Sequence, residues 1–195
     1  MFFTLLSSAL LVLSFGSHVH SSQLHPYVPN DIVCPPNSSA SFNHNNYAYI
    51  APLHSFTNVV NSFFDLSWYG NIVITSTTGT DNVPGASRSG PFGGGTYNET
   101  LTFYRKRSDL LMWSYTAKGL TFTLPGHPTL TTYGYNEMFR FQSVCGGQAT
   151  YIDVLTFSCS NNQTLNYEIW DEFHNGAFPA LAASLGASAL TGDCP

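Results

Sequence analysis

The chain has little charge. Asp, Glu, Lys and Arg make up 9% of its 195 residues, with 6 basic residues against 11 acidic ones. Recognition of nucleic acid needs clustered basic side chains, so that class of partner is excluded. A disordered effector tail is excluded as well. The chain is 15% aromatic, whereas chains that stay unfolded are rich in charge and poor in aromatics. Several chemical signatures are also missing. None of the 4 cysteines sits in a Cys-x-x-Cys pair, so a zinc or dithiol-redox site has no support. Gly85-Ala-Ser87-Arg-Ser89 lacks the closing glycine of a nucleophile elbow. Gly93-Gly-Gly95 neither follows a parallel strand nor opens a helix, so no phosphate-cradling loop is expected. His44, His54, His127 and His174 show no metal-ligand spacing and read as surface or loop residues. No metal and no cofactor is expected.

No charged side chain occurs before Asp31. Within that stretch Phe2 to Phe15 is largely apolar, and Gly16 to Ser22 is small and polar. This is the pattern of a secretory signal peptide, too short and wrongly flanked for a membrane span. Cleavage after Ser21 is expected, leaving about 174 residues, one domain's length. The sequons at Asn37, Asn98 and Asn162 and the even cysteine set Cys34, Cys145, Cys159 and Cys194 fit the same oxidising route. The apolar stretch Ala177 to Leu190 lacks the spacer and tail of a lipid-anchor signal. The expectation is a secreted monomer with no stable membrane insertion. It divides into a signal peptide (1–21), an extended lead-in (22–45) and one folded domain (46–195).

Within the folded part, Asn46 to Ala51 alternates as a strand. Phe56, Val59, Val60, Phe63 and Phe64 then recur at helical spacing, and Asp65-Leu-Ser-Trp-Tyr-Gly70 closes a second short turn. Asp65 and Trp68 are read as capping and packing that helical pair. Strands are predicted at Ile72–Thr78, Ala86–Phe92, Thr96–Tyr104 and Leu110–Lys118, with Arg105 to Asp109 as a charged hairpin turn. A long hairpin of Thr131–Val144 and Thr150–Ser158 turns through Cys145-Gly-Gly-Gln148. After Asn162 the residues Trp170, Phe173, Ala177, Phe178, Leu181 and Leu185 share one helical face, which Gly176 and Pro179 would kink or shift. A strand meander with one helix left to cover a face is an α+β domain.

The order of these motifs resembles the START-like helix-grip superfamily, closest to its polyketide cyclase/dehydrase-like branch. The resemblance rests on Asp65-Leu-Ser-Trp68, Gly85-Ala-Ser-Arg88, Gly93-Gly-Gly95, Glu99-Thr-Leu101, Leu111-Met-Trp-Ser-Tyr115 and Ala149-Thr150, and spans roughly residues 46 to 190. Asp153 stands where the family places a tryptophan, and Leu66 replaces an aromatic. The resemblance implies a curved antiparallel sheet of about seven strands wrapped around a long C-terminal helix, with a short helical pair after the first strand. It also implies Cys34–Cys159 and Cys145–Cys194, one of three possible pairings. Each closes a long loop, so losing either would cost about 2–5 kcal/mol.

A glycan on Asn98 must face solvent, which turns Tyr97, Glu99, Leu101 and Phe103 inward. Bulk assigns Leu111, Trp113 and Tyr115 to the inner face of the next strand. On the last two strands the sets are Tyr133, Tyr135, Glu137, Phe139 and Phe141, then Tyr151, Asp153, Leu155 and Phe157. The candidate ligand contacts are Tyr97, Phe103, Trp113, Tyr115, Tyr135 and Asp153. Arg88 and Glu99 carry two readings. One is a buried ion pair that fixes strand register. The other is catalytic, with Glu99 as general acid or base and Arg88 on an enolate oxygen. The expected function is a secreted carrier of a hydrophobic small molecule. The alternatives are a cyclase or dehydratase acting on a polyketide- or terpenoid-like intermediate, and a surface or interaction protein with a filled core. Either ligand reading requires a cavity of several hundred Å³, within the usual range of about 300–1,000 Å³.

Overall fold

The computed structural model describes residues 32–123, 126 and 128–195. The predicted signal peptide and residues 22–31 of the lead-in lie outside the described residues. Strand β1 (Ser39–Ile50) leads into α1 (Leu53–Thr57), then β2 (Ser76–Thr78), β3 (Ser87–Phe92), β4 (Gly95–Arg107) and β5 (Leu110–Ala117). Next come β6 (Leu120–Phe122), β7 (Leu130–Val144), β8 (Ala149–Ser160), α2 (Gln163–Ser184) and β9 (Ser188–Ala189). They build one 9-stranded antiparallel sheet in the order β2-β3-β4-β5-β7-β8-β1-β9, with β6 alongside β7. Helix α2 lies across β1, β8 and β7. This is the helix-grip arrangement, with more strands than the expected seven because β6 and β9 are too short to show a period.

Several boundaries differ from expectation for local reasons. β1 begins at Ser39 rather than Asn46, because Ser39 to Asn45 pair with β8. The helix predicted through Phe64 stops at Thr57. Asn58 and Val60 N–H still bond back to the His54 and Phe56 carbonyls, but Phe63 N–H donates to Asn82 Oδ1, and Phe64 N–H to Ser62 Oγ and Asp81 Oδ1. Such competition from polar side chains ends helices. Phe56, Val60 and Phe63 are still fully buried. The strand predicted from Ile72 is limited to Ser76–Thr78, although the Val73 carbonyl approaches Gly90 so closely that a Cβ there would lie 2.0 Å from it. β4 runs on through Arg107, which leaves Ser108 and Asp109 as the turn. Between β3 and β4, Gly93 and Gly94 both take positive φ (58° and 83°), the two-residue turn that suits the twist of a hairpin.

The C-terminal helix forms as its pattern predicts. Asn162 caps it, its side-chain oxygen accepting from Leu165 N–H at 3.1 Å. The helix continues unbroken through Gly176 and Pro179. Trp170, Ala177, Phe178 and Leu181 are buried against the sheet, while Phe173 and Leu185 pack at the margin. Disulfides join Cys34 to Cys159 and Cys145 to Cys194, the pairing that the resemblance implies. No helix among the described residues is long and apolar enough to cross a membrane.

Candidate functional site

The strand register lays the inner face of the sheet out in rows. One row runs Arg88, Glu99, Ala117, Tyr135, Ser158, Ser41 across β3, β4, β5, β7, β8 and β1. The next runs Leu101, Tyr115, Glu137, Thr156, Asn43. These rows form a polar belt beneath α2. Its small member matters. Ala117 stands between Glu99 and Tyr135, so those two side chains meet over it and the Tyr135 hydroxyl donates to Glu99 Oε1 at 2.7 Å. Arg88 Nε donates to Glu99 Oε2 at 2.6 Å, and its Nη1 to the Phe63 carbonyl at 2.7 Å. The guanidinium also lies over the rings of Phe63 and Tyr115. Burial pushes the Glu99 carboxyl above its usual range, and Arg88 and Tyr135 work against that rise.

Glu137 is the second buried carboxylate and the hub of the belt. Its Oε1 accepts from Tyr69 at 2.8 Å, from His174 Nε2 at 2.7 Å and more distantly from Thr156; its Oε2 accepts a short bond from Tyr115. His174 Nδ1 faces Asn45 Oδ1 at 2.8 Å, while the Asn45 amide donates to Asp171 at 2.7 Å. Burial raises Tyr69, Tyr115 and Tyr135 well above an ordinary phenol, and Tyr97 to about 12, so all four hydroxyls stay protonated as donors.

Above the belt lies a small pocket. Its walls are the rings of Tyr69, Phe92, Tyr97, Tyr135, Trp170 and Phe173, and both Glu99 and Glu137 reach it. Leu66 and Tyr69 come from the irregular segment between α1 and β2. The enclosed space is about 20 Å³, room for one water-sized group. This pocket is far smaller than the roomy cavity expected from the sequence. Aromatic packing fills it: Trp68 lies 6.1 Å from Phe178 and 5.7 Å from Phe139, and Phe139 lies 5.7 Å from Phe178.

The structure sorts the predicted site residues. Glu99, Tyr97 and Tyr135 line the pocket. Arg88 lies buried behind Glu99, Tyr115 supports Glu137, and Trp113 is fully buried in the core. Two assignments are wrong. A β-bulge between Leu101 and Phe103 shifts the phase of β4, so Phe103 pairs with outward Ser114 while Tyr104 stacks over Trp113. Asp153 faces the outer side of the sheet, where it bonds Arg140 and His44. The inner face of β8 is Thr150, Ile152, Val154, Thr156 and Ser158, all buried; the bulkier set Tyr151, Leu155 and Phe157 faces outward with Asp153. A second bulge, between Thr132 and Gly134, leaves Tyr133 exposed. His174, read from sequence as a surface or loop residue, is completely buried. Its signal was available: it falls on the Trp170–Ala177–Phe178 face of α2. Trp68 packs in the core, but Asp65 accepts from Ser67 N–H within a turn, because the second helix of the expected pair does not form. The Asn37, Asn98 and Asn162 side chains are all on exposed residues. No group of three or more His, Cys, Asp or Glu able to hold a metal occurs among the described residues.

A curved antiparallel sheet closed on one long C-terminal helix defines a helix-grip α+β protein. Residues 42–184 match the START domain family, and the chain belongs to that family. No curated protein sequence matches it. Among solved structures it is similar to a protein of Nitrosospira multiformis at 20% identity and TM-score 0.54, covering 74% of this chain and 96% of that one. An uncharacterised Bacillus thuringiensis protein is similar at 11% identity and TM-score 0.54, covering 74% and 98%. XoxI from Bacillus cereus is similar at 11% identity and TM-score 0.53, covering 74% and 95%. The START fold is suited to holding a hydrophobic ligand between sheet and helix, and the aromatic lining here is compatible with that.

Proposed function

We propose that the chain is exported and that its START domain binds a hydrophobic small molecule in the pocket over Glu99 and Glu137. One observation carries the reading. Two buried carboxylates end in a ring of aromatic side chains at the junction of sheet and helix, rather than in a sealed core. The half-buried Ile72, Phe92 and Phe173 form its margin. The pocket holds about 20 Å³. A drug-sized ligand needs about 300 Å³ or more, so binding requires the walls of the pocket to move apart. Export is supported by the leader pattern, three exposed sequons and two disulfides.

The test is native mass spectrometry of the secreted protein, followed by titration with an apolar fluorophore. A co-purified small molecule or saturable uptake is expected. A second reading, an interaction protein with a filled core, is favoured by the small volume, and it wins if neither is found. Glu99→Gln separates a carrier from an enzyme. A carrier loses about one hydrogen bond's worth of affinity, roughly tenfold. An enzyme using Glu99 as acid or base loses about 10²–10⁴-fold in turnover.

A further inference from the structure

The sheet has two edges, and they are finished differently. At one, β9 lies beside the end of β1, and Gln163 of α2 donates to the Ala40 carbonyl near its start at 2.7 Å. The sequons at Asn37 and Asn162 flank that start, where Ser39 pairs with Ser160. The other edge is β2, which has a neighbour on one side only. The chain reaches it along β3. The Tyr97 hydroxyl donates to the Val73 carbonyl at 3.0 Å, beside Gly90, and Thr75 N–H donates to the Ser89 carbonyl at 2.8 Å. The run from Ile72 to Thr78 therefore forms this edge.

A bare edge pairs with other chains unless charge, proline, a bulge or a cover prevents it. This run is rich in β-branched residues, and no Asp, Glu, Lys, Arg or Pro occurs from Leu66 to Thr80. Val73 is 57% exposed, and every residue from Thr75 to Thr80 is exposed. That composition on an exposed strand favours cross-β pairing. What the edge has instead is hydroxyl groups, on Thr75, Ser76, Thr77, Thr78 and Thr80. Thr75 Oγ1 is engaged by the Ser89 carbonyl at 3.3 Å, and Thr78 Oγ1 by Ser87 Oγ at 2.6 Å. The Ser76, Thr77 and Thr80 hydroxyls have no hydrogen-bond partner among the described residues. Ser76 pairs with Ser89, which pairs with Asn98, so Ser76 shares a face with that sequon. Thr77 pairs with Arg88 and belongs to the opposite face.

We propose that Thr75–Thr80 is a site of O-linked glycosylation, with Thr77 the first acceptor, and that the sugar is the cover this edge lacks. The inference rests on the proposed export, which brings the chain to glycosyltransferases. The step is a glycosyl transfer. The Thr77 hydroxyl oxygen bonds to the anomeric carbon of an activated sugar as that carbon's bond to a phosphate-based leaving group breaks. The leaving group takes the electron pair, and the hydroxyl proton passes to a base of the transferase. Nothing is oxidised or reduced. Folded β2 presents the acceptor extended, exposed and with its oxygen unengaged.

The test uses the full chain, expressed in a eukaryotic secretory host and collected from the medium. N-linked sugars are removed enzymatically, the intact mass is measured, and peptides are fragmented by electron transfer. The mass is expected to exceed the polypeptide by whole hexose or N-acetylhexosamine units, located within Thr75–Thr80 and most often on Thr77. A bare polypeptide mass, or sugar on other segments only, overturns the site and leaves export standing. Absence from the medium overturns both. The covering role is tested with Ser76→Ala, Thr77→Ala and Thr80→Ala combined, against the same triple variant carrying Thr77→Lys. In sedimentation velocity the alanine variant is expected to self-associate as concentration rises. The lysine variant, with charge in place of sugar, is expected to stay monomeric. Equal behaviour of the alanine variant and the unaltered chain, or association of the lysine variant, overturns the covering role. The mass measurement on the unaltered chain decides the site even if neither variant folds.

Discussion

Glu137→Gln is the sharpest probe of how the polar belt holds the domain together. The carboxylate gathers Tyr69 from the segment before β2, Tyr115 from β5, Thr156 from β8 and His174 from α2. Glutamine keeps the shape but replaces one acceptor oxygen with a donor. Placed at Oε1, its NH₂ would face three donors; placed at Oε2 it faces only the Tyr115 hydroxyl, so the second orientation wins. Tyr115 is then left with a buried proton and no acceptor, a cost of about 1–3 kcal/mol. His174 also loses the opposing charge, and breaking a buried pair costs about 3–5 kcal/mol. These two effects overlap, so a total near 4 kcal/mol is expected, a fall in Tm of roughly 8–16 °C for a chain of this size. Thermal and urea unfolding followed by circular dichroism measures it. Tyr69→Phe alone removes one bond to a carboxylate, about 1.5–3 kcal/mol, and the double mutant should fall short of additivity because the two side chains touch. Glu168→Gln on the exposed face of α2 is the control, within about 0.5 kcal/mol of wild type. A Glu137→Gln shift below about 2 °C, or strict additivity with Tyr69→Phe, would refute the hub.

Arg88→Met should cost about 3–5 kcal/mol by stranding Glu99, and Arg88→Met with Glu99→Leu should recover most of it, because the apolar pair needs no desolvation. A double mutant less stable than the single in urea would show that the pair does more than neutralise itself. Alkaline titration gives a second outcome. The buried tyrosines keep their protons above the ordinary value of 10.0, Tyr97 to about 12, whereas the unfolded chain releases them near 10. Their stabilisation is complete below pH 10 and is lost as the pH climbs toward 12 and past it. Tyrosinate absorbance and loss of circular dichroism should rise together there; free titration of every tyrosine in folded protein would contradict the burial. Replacing Cys34 and Cys159 by serine opens a loop of 125 residues, worth about 5 kcal/mol on chain entropy. A reversible unfolding free energy within 1 kcal/mol of wild type would count against that origin.

What the sequence showed and hid follows from the length of each periodic signal. The long strands β4, β5, β7 and β8 and the helix after Asn162 repeat their patterns often enough to be read, and the motif order led on to the fold and both disulfides. A bulge carries no such signature. One extra residue near Thr102 sends Phe103 outward, and Tyr133 is displaced in the same way. On β8 the set expected inside, Tyr151, Asp153, Leu155 and Phe157, is the outer one. The buried face uses Thr150, Thr156 and Ser158, whose hydroxyls suit a polar belt, while Tyr151 and Phe157 lie outside. Asp153 followed its strand to the wrong side for that reason. The helical phase of His174 puts it on the buried face of α2 with Trp170 and Phe178. Its partner Asn45, 129 residues away, has no sequence signal at all.

The position of the pocket follows from how the aromatic residues are spent. Around Phe178, the rings of Trp68, Phe139 and Phe141 close to within 6.3 Å of one another's neighbours and fill the space between sheet and helix. Tyr69, Tyr115 and His174 join that cluster by their rings, while their polar atoms turn to Glu137. About one and a half to two turns earlier on α2, Phe173 and Trp170 line the pocket with Glu99 and Glu137 instead. A carboxylate has about four acceptor sites with directional demands, so its neighbours are placed by hydrogen-bond direction and not by volume alone. The polar belt therefore leaves the gap that the aromatic cluster closes, and a ligand entering this domain would meet the belt first. Enlarging the site by trimming Phe139 or Phe178 would open the hydrophobic end at about 3–5 kcal/mol of stability without giving that ligand a polar anchor. Trimming Phe92 or Phe173, which are only partly buried, would widen the approach to Glu99 at lower cost.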